Sequence, residues 1–176
     1  SILDRTEATV RQTASRARSH VAARRPRFDA DRGARQAAVQ RFLAASAGVT
    51  HEQFTAPASF PYGGLRGTLL HIVDGERLWR VLFETRAVRE DQDLLEADFP
   101  TYELLEKKFR EEERLLRGYL NRLGDEDMNS HLQYTTTEGV HRDRILWHCL
   151  VQLVNHGTQH RSEAAALLTD FGHSPG

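Results

Sequence analysis

Apolar side chains recur at intervals of three and four residues over three long stretches of the chain. These stretches run from Leu65 to about Arg86, from Asp98 to Leu123, and from near Asp143 to about Asp170. Such spacing places the apolar side chains on one face of an α-helix. The pattern therefore predicts three long amphipathic helices, each with a buried face.

The N-terminal quarter shows a weaker form of this pattern, with smaller apolar residues. Residues 2–24 are rich in Ala and Arg and favour a helix, which Pro26 should end. A further helix is predicted from about Asp31 to Ala47, where Ala38 and Phe42 share a face. With one long helix contributed by this N-terminal quarter, the expected number of long helices in the bundle is four.

Two segments between the helices have a different character. "GVTHEQFTAPASFPYGGLRG" carries two of the five prolines and several glycines, which marks a connector. Within it, "THEQ" has the spacing of a capping box, which predicts a short helical turn. "HLQYTTTEGVHRDR" has β-branched and aromatic residues on either side of Glu138-Gly139 and predicts a short hairpin.

Four long helices with a short β-like insert before the last one, and no internal repeat, indicate an all-α fold and a four-helix bundle. The length of 176 residues suits a single domain with a substantial core. We therefore predict one domain over residues 1–176. Whether residues 1–35 form an atypical first helix or an arm beside the bundle stays open.

Composition excludes several classes of protein. The hydrophobic content of 39% and the charged content of 28% are typical of a soluble globular protein. No apolar run approaches the roughly 18 residues that a membrane helix needs, and we expect neither a secretory signal nor a membrane partner. One cysteine, Cys149, excludes an internal disulfide framework and a cysteine-rich zinc module. These features favour a cytoplasmic protein.

The charge is distributed unevenly along the chain. Residues 1–41 hold ten Arg and four acidic residues, although the whole chain has a formal net charge of −1. A basic arm can bind nucleic acid. Here no aromatic residues for base stacking are interleaved with the Arg residues, which instead lie in an Ala-rich, helix-like segment. We therefore predict no nucleic-acid partner.

Two histidines, His156 and His160, lie four residues apart in the last predicted helix. Side chains at positions i and i+4 share one helix face, with Cβ atoms about 5–6 Å apart. This spacing lets two imidazoles reach one cation at about 2.0–2.1 Å each. Because a chain with nine histidines also produces such pairs by chance, the pair alone does not establish a metal site.

A third histidine, His71, interrupts the apolar run "LRGTLLHIVDGERLW". A neutral, hydrogen-bonded histidine of the core is the usual alternative to a ligand at such a position. A bundle can bring His71 opposite His156 and His160, because bundle metal sites are built from side chains on facing helices. Three histidine ligands with open positions left are typical of a catalytic rather than a structural metal ion.

Two carboxylates accompany these histidines in the sequence. Asp74 follows His71 by about one turn, and Glu163 follows His160 by three residues. Each is a candidate catalytic group that could orient an imidazole or act as a base. The alternatives are a solvated or intrahelical carboxylate for Asp74 and an interhelical ion pair for Glu163.

Asn155 and Arg161 also flank the histidine pair. On a helix they point to other sides than the two histidines do. We expect them to connect helices rather than to contact a substrate.

The motif "GTLLHIVDGERLW", followed by "LVNHGTQHRSEAAALL" and then "GHSPG", resembles the DinB-like superfamily of four-helix-bundle metalloproteins. That family has one His on its second helix and His-x-x-x-His-Arg on its last. The resemblance covers roughly Gln36 to Gly176 and includes the helix entries "FPYGGLRGTLLH" and "YTTTEGVHRDRILWH". It implies a bundle of DinB-like type in which His71, His156 and His160 bind a divalent metal. Of the ions that imidazole suits, we expect zinc or nickel.

The resemblance also implies a function. Related proteins are transferases and isomerases that use a low-molecular-weight thiol, so we expect a metal-dependent thiol S-transferase or isomerase acting on small electrophiles, and a homodimer. A non-enzymatic metal-binding stress protein or sensor is the alternative, and a purely structural bundle is a third reading. The family name refers to DNA damage, which concerns expression and does not predict DNA binding.

Overall fold

The computed structural model describes residues 32–88 and 93–176. The described helices are, in chain order, α1 (Arg32–Ala47), α2 (His51–Thr55), α3 (Leu65–Thr85), α4 (Tyr102–Leu120) and α5 (Leu146–Asp170). The helix predicted over residues 2–24 lies outside the described residues. Residues 40–176 form one compact unit, and residues 32–39 belong to another.

The capping box predicted in the connector is confirmed. Thr50 precedes α2, and its hydroxyl accepts a hydrogen bond from the Gln53 backbone N–H at 3.2 Å. The Gln53 side chain accepts one in return from the Thr50 backbone N–H at 2.9 Å. These reciprocal bonds satisfy two N–H groups that the first turn of a helix leaves free. This explains why so short a helix forms here.

Helix α3 spans Leu65–Thr85, as the apolar periodicity predicted. It ends at Arg86, which adopts a left-handed conformation with φ of 59° while its N–H bonds to the Leu82 carbonyl. The buried face of the helix includes Leu69, Ile72, Val73, Leu82 and Phe83. This helix packs against both α4 and α5, so its side chains can contribute to a site on either side.

The predicted boundaries of α4 were too wide. The helix covers Tyr102–Leu120 rather than Asp98–Leu123. A short 3₁₀ turn at Glu96–Asp98 precedes it, and Pro100 then separates the two because a proline disfavours helical backbone at the residue before it. At the other end, the backbone closes into tight turns after Asn121, ahead of Gly124.

The predicted hairpin is present and shortens the last helix. Strands β1 (His131–Thr135) and β2 (His141–Ile145) pair antiparallel, with Gln133 opposite Asp143. Helix α5 therefore begins at Leu146 and not near Asp143 as predicted. Residues 141–145 are taken by strand pairing, which requires extended backbone. The end of α5 at Asp170 agrees with the prediction.

Buried apolar side chains form two clusters along the bundle. The first cluster is Phe42, Phe54, Leu65, Leu69, Leu70, Ile72, Val73, Phe99, Tyr102, Leu105, Ala164, Leu167 and Leu168. The second cluster is Leu82, Phe83, Tyr119, Leu132, Leu146, Cys149 and Leu153. The long helices α3, α4 and α5 contribute to both clusters. Phe42 of α1 belongs to the first.

Polar side chains occupy the buried faces between the two clusters. On α4, the buried Glu112 lies in sequence between Leu105 of the first cluster and Tyr119 of the second. Its carboxylate accepts hydrogen bonds from the Arg80 guanidinium at 2.7 and 2.9 Å. On α5, the buried His160 holds the corresponding intermediate position. A polar layer in a bundle core marks the place to look for chemistry, because buried polar groups need specific partners.

The fold is an all-α four-helix bundle, in which residues 40–47 of α1 join α3, α4 and α5, with a two-stranded hairpin before the last helix. Over residues 32–88 and 93–176, no helix combines the length and apolar character that crossing a bilayer requires.

Candidate metal centre

Helices α3 and α5 bring together the three histidines that the sequence singled out. One ring nitrogen from each of His71, His156 and His160 lies within 4.8 Å of the others. The ring centroids are 4.6–4.8 Å apart. His160 is buried, and the other two are half-buried. Two of the three imidazoles thus keep partial contact with solvent, while the third is enclosed in the core.

The geometry of the cluster fits a metal ion. The Nε2 atoms of His71 and His156 are 2.9 Å apart. Two nitrogens that share an ion at 2.0–2.1 Å, with bond angles between 90° and tetrahedral, stand about 2.9–3.4 Å apart. The other ring nitrogen of His156, Nδ1, points away from His71 and is buried without a hydrogen-bond partner in the described part of the chain. An ion bound through Nε2 would not contact Nδ1, so the fit to a metal rests on the spacing of the ligand nitrogens.

The protein keeps the imidazoles of His71 and His156 neutral. The pKa of His71 is lowered to about 4, chiefly by burial and then by the charges that His156 and His160 carry when protonated, while Glu163 opposes the shift. The pKa of His156 is also lowered, chiefly by burial and then by His160 and Arg161. At neutral pH the ring nitrogens of both residues therefore have lone pairs available, as a metal ligand requires.

Glu163 supports one of the three imidazoles. Its Oε2 lies 2.7 Å from His160 Nδ1, and this hydrogen bond is the main cause of the lowered pKa of Glu163. With the proton held on Nδ1, the Nε2 lone pair of His160 faces away from the carboxylate. A carboxylate that fixes the tautomer in this way is a common outer partner of metal-binding histidines.

Asp74, the other candidate carboxylate, has a different partner. Its Oδ1 accepts hydrogen bonds from Arg77 Nε at 3.0 Å and from Nη2 at 2.9 Å. Both side chains are largely buried. This is the intrahelical pairing that was the alternative for Asp74. Asp74 thus pairs with an arginine of its own helix, whereas Glu163 pairs with a histidine of the cluster.

A glycine that the sequence analysis did not single out makes room for His156. An ideal Cβ on Gly75 would lie 2.6 Å from His156 Cε1 and 3.2 Å from Nδ1. The ring of His156 therefore packs directly on the α3 backbone, one turn after His71. A glycine inside an apolar helical run is a signal for such a close approach.

Tyr62 is a second residue that the sequence analysis missed. Its ring stacks on His71, with centroids 3.8 Å apart and planes 14° apart. It also contacts His160 edge-on at 5.2 Å. The connector carries Tyr62 to this position by folding back over the start of α3. Its backbone passes so close to Gly67 that a Cβ there would collide with the Tyr62 carbonyl oxygen. The glycines of "YGGLRG" were the available signal.

The two residues that were expected to connect helices behave differently from each other. Asn155 is exposed on α5. Arg161 is half-buried and donates a hydrogen bond to Thr158 of its own helix at 3.2 Å. Its charge also lowers the pKa of His156, so the guanidinium belongs to the electrostatic surroundings of the cluster.

Comparison with known proteins agrees with this architecture. No curated protein matches the sequence. A model of the DinB family matches residues 34–176, which include all three histidines of the cluster. A match over most of the chain, combined with a bundle whose α3 and α5 carry the three-histidine cluster, identifies the protein as a member of the DinB family.

Proposed function

We propose that the protein is a metal-dependent thiol S-transferase whose ion, zinc or nickel, is bound by His71, His156 and His160. The observation that carries this proposal is the convergence of three imidazoles within 4.8 Å. Three protein ligands leave open positions at the ion, which is typical of catalytic sites. The thiol and the electrophile would both be small molecules.

In such a reaction, the thiol sulfur forms a bond to an electrophilic carbon and the thiol proton passes to solvent. The leaving group departs with its bonding electron pair. A metal ion in the site supplies a Lewis acid that lowers the pKa of a bound thiol and so favours the nucleophilic thiolate.

The chain's own residues organise this site. Glu163 keeps the proton of His160 on Nδ1, so the other nitrogen is free to bind. Tyr62 covers one face of the His71 ring, which limits the access of water to it. Gly75 lets His156 approach α3 closely enough to meet His71. Rigid support of this kind is what a preorganised site requires.

The metal is tested first. Purified protein should contain about one ion per chain by elemental analysis, and His156→Ala should lose it. His148→Ala is the matched control, since it removes an exposed imidazole from the same helix, two turns earlier. Metal that is absent from the wild type after reloading, or that survives His156→Ala, would contradict the proposed site.

Activity is tested on the loaded protein. Conjugation of common low-molecular-weight thiols to a chromogenic electrophile should proceed with the wild type and fall to background in His71→Ala. Stoichiometric metal without turnover with any thiol would favour the alternative, a non-enzymatic metal-binding stress protein or sensor. Turnover unchanged by His71→Ala would also reject the transferase.

A further inference from the structure

Arg161 lies in a hollow on the surface of α5. A Cβ on Gly157 would meet its Nη1 at 2.5 Å and its Cζ at 3.3 Å. Gly157 is itself buried, so the guanidinium covers the helix backbone where another residue would carry a side chain. The sequence "HGTQHR" thus places a glycine one turn before the arginine and gives its head group a defined position.

Gly157 and Arg161 directly follow His156 and His160 in the sequence, on a helix that packs against α3. The charge of Arg161 acts on His156 of its own helix and on Glu76 of α3. Glu76 directly follows Gly75, against which the His156 ring packs. The guanidinium therefore lies near the point where the two helices bring their ligands together.

Arg161 of α5 also differs from the half-buried or buried arginines of α3. Arg66 pairs with Glu96, Arg77 with Asp74, and Arg80 with Glu84 and Glu112. Arg161 donates to the neutral Thr158 hydroxyl, and no carboxylate of the described residues lies within 4.0 Å of its guanidinium. A partly desolvated guanidinium without an anion retains most of its capacity to bind one.

The carboxyl group of Glu76, on which the charge of Arg161 acts, does not remove this capacity. Burial raises the pKa of Glu76 to about 7, with smaller contributions from Glu113 and Glu112, although Arg161 opposes the shift. The Glu76 carboxyl group is thus about half protonated at neutral pH, and the positive charge of Arg161 is only partly balanced.

We propose that Arg161 binds a carboxylate group of the thiol substrate and thereby selects thiols that carry a carboxylate a few bonds from the sulfur. This inference rests on the proposed function, because it assigns the substrate class of the same site. The planar guanidinium can hold a carboxylate through two parallel hydrogen bonds, while the sulfur reaches the histidine cluster.

The test uses cobalt-loaded full-length protein and three probes: 3-mercaptopropionate, 2-mercaptoethanol and propionate. Thiol binding is followed by the change in the visible cobalt spectrum. Carboxylate binding is followed by the ¹⁵N NMR signal of the Arg161 Nε–H. In the wild type, 3-mercaptopropionate should bind about 10- to 100-fold more tightly than 2-mercaptoethanol, as expected for a charge-assisted pair.

Arg161→Gln should abolish this preference, so that the ratio of the two thiol affinities falls to about one, whatever the change in the affinity for 2-mercaptoethanol itself. Arg161→Lys keeps the charge but not the paired donors, so it should retain only part of the preference for 3-mercaptopropionate. This variant replaces Arg161→Gln as the test if the Gln variant does not fold. Arg117→Gln is the matched control, since Arg117 is an exposed arginine paired with Glu113 on α4. It should behave as the wild type.

An unchanged preference in the Arg161 variants, or an Arg161 signal that neither carboxylate moves, overturns the inference while the proposed function stands. If no thiol changes the cobalt spectrum, the proposed function fails. The propionate arm then decides separately: a saturable shift of the Arg161 signal supports an anion site, and the absence of a shift overturns it.

Discussion

The imidazole of His156 packs against the backbone of Gly75, so closely that a methyl group at residue 75 would lie 2.6 Å from Cε1. Gly75 is in the interior of α3, where glycine is less favourable than alanine by about 1 kcal/mol. The helix thus accepts a local cost at this residue, and the space it gains is filled by a proposed metal ligand.

Gly75→Ala should therefore displace His156 and weaken the metal site. We expect the metal dissociation constant to rise about tenfold or more, comparable to the loss of a supporting partner, as measured by competition with a chromogenic chelator. The metal-free variant should remain folded, as monitored by circular dichroism, because the clash affects a side chain that can move.

Gly118→Ala is the matched control for this substitution. Gly118 is also inside a helix, α4, but a Cβ there would meet only Arg122 Nη1, at 3.9 Å. It should raise the free energy of unfolding by about 0.5–1 kcal/mol and leave metal affinity unchanged. Equal metal affinities for the two variants would show that Gly75 does not position His156.

Glu163 and Asp74 each follow a histidine of the cluster by three residues, and they can be separated by experiment. Glu163→Gln should lower metal affinity about 10- to 100-fold, because the amide orients His160 less strongly than the carboxylate bonded at 2.7 Å. Isothermal titration with the metal alone would measure this change. The melting temperature of the metal-free protein should change little.

Asp74→Asn should have the opposite profile. It breaks a largely buried pair with Arg77, so the metal-free protein should lose about 1–3 kcal/mol of stability while its metal affinity stays within about twofold. If Asp74→Asn instead lowers metal affinity as Glu163→Gln is expected to, Asp74 supports the cluster as the sequence analysis proposed.

Tyr62 should protect His71 from water. Burial is the main cause of the lowered pKa of His71, about 4, and Tyr62 stacks on this ring. In metal-free Tyr62→Ala, the pKa of His71 should rise toward the ordinary value near 6.5. An NMR titration of the His71 Cε1–H signal measures it.

Tyr62→Phe provides the control, since it keeps the stacked ring and removes only the hydroxyl. Its His71 should titrate as in the wild type. A His71 that titrates alike in the Ala and Phe variants would mean that the aromatic ring does not shield it.

The contrast between Asp74 and Glu163 also shows where inference from sequence reached its limit. Both have the same i, i+3 relation to a histidine. Arg77, three residues beyond Asp74, binds that carboxylate, whereas Glu163 lies against His160. The choice depends on side-chain competition in three dimensions, which spacing alone does not resolve.

Local signals predicted the elements whose formation is local. The Thr50 capping box and the span of α3 were confirmed because each depends on residues within a few turns. The start of α5 was missed because strand pairing between His131–Thr135 and His141–Ile145 competes with helix for the same residues. Tyr62 was missed for a related reason, since its place depends on a loop folding back over Gly67.

Glu76 provides a prediction on stability rather than on the site. Its pKa is raised from 4.5 to about 7, first by burial and then by Glu113 and Glu112 against the opposing effect of Arg161. Between these two pH values, the folded protein binds more protons at Glu76 than the unfolded chain does. The contribution of Glu76 to the free energy of unfolding therefore falls as pH rises from about 4.5 to 7.

Glu76→Gln removes this dependence, because the amide stays neutral at every pH. Above pH 7 we expect the metal-free variant to be about 2–3 kcal/mol more stable than the wild type, with the difference vanishing near pH 4.5. Urea denaturation at pH 4.5, 6 and 8 measures this difference in the free energy of unfolding. We expect His71 to titrate alike in both proteins, so that its contribution to the pH dependence cancels in the difference. Glu106→Gln is the control, because Glu106 pairs with Arg110 on α4 and is not among the groups that shift the pKa of Glu76. It should stay within about 0.5 kcal/mol of the wild type throughout. A Glu76→Gln difference that is constant across this range would mean that the Glu76 carboxyl group ionises normally in the folded bundle.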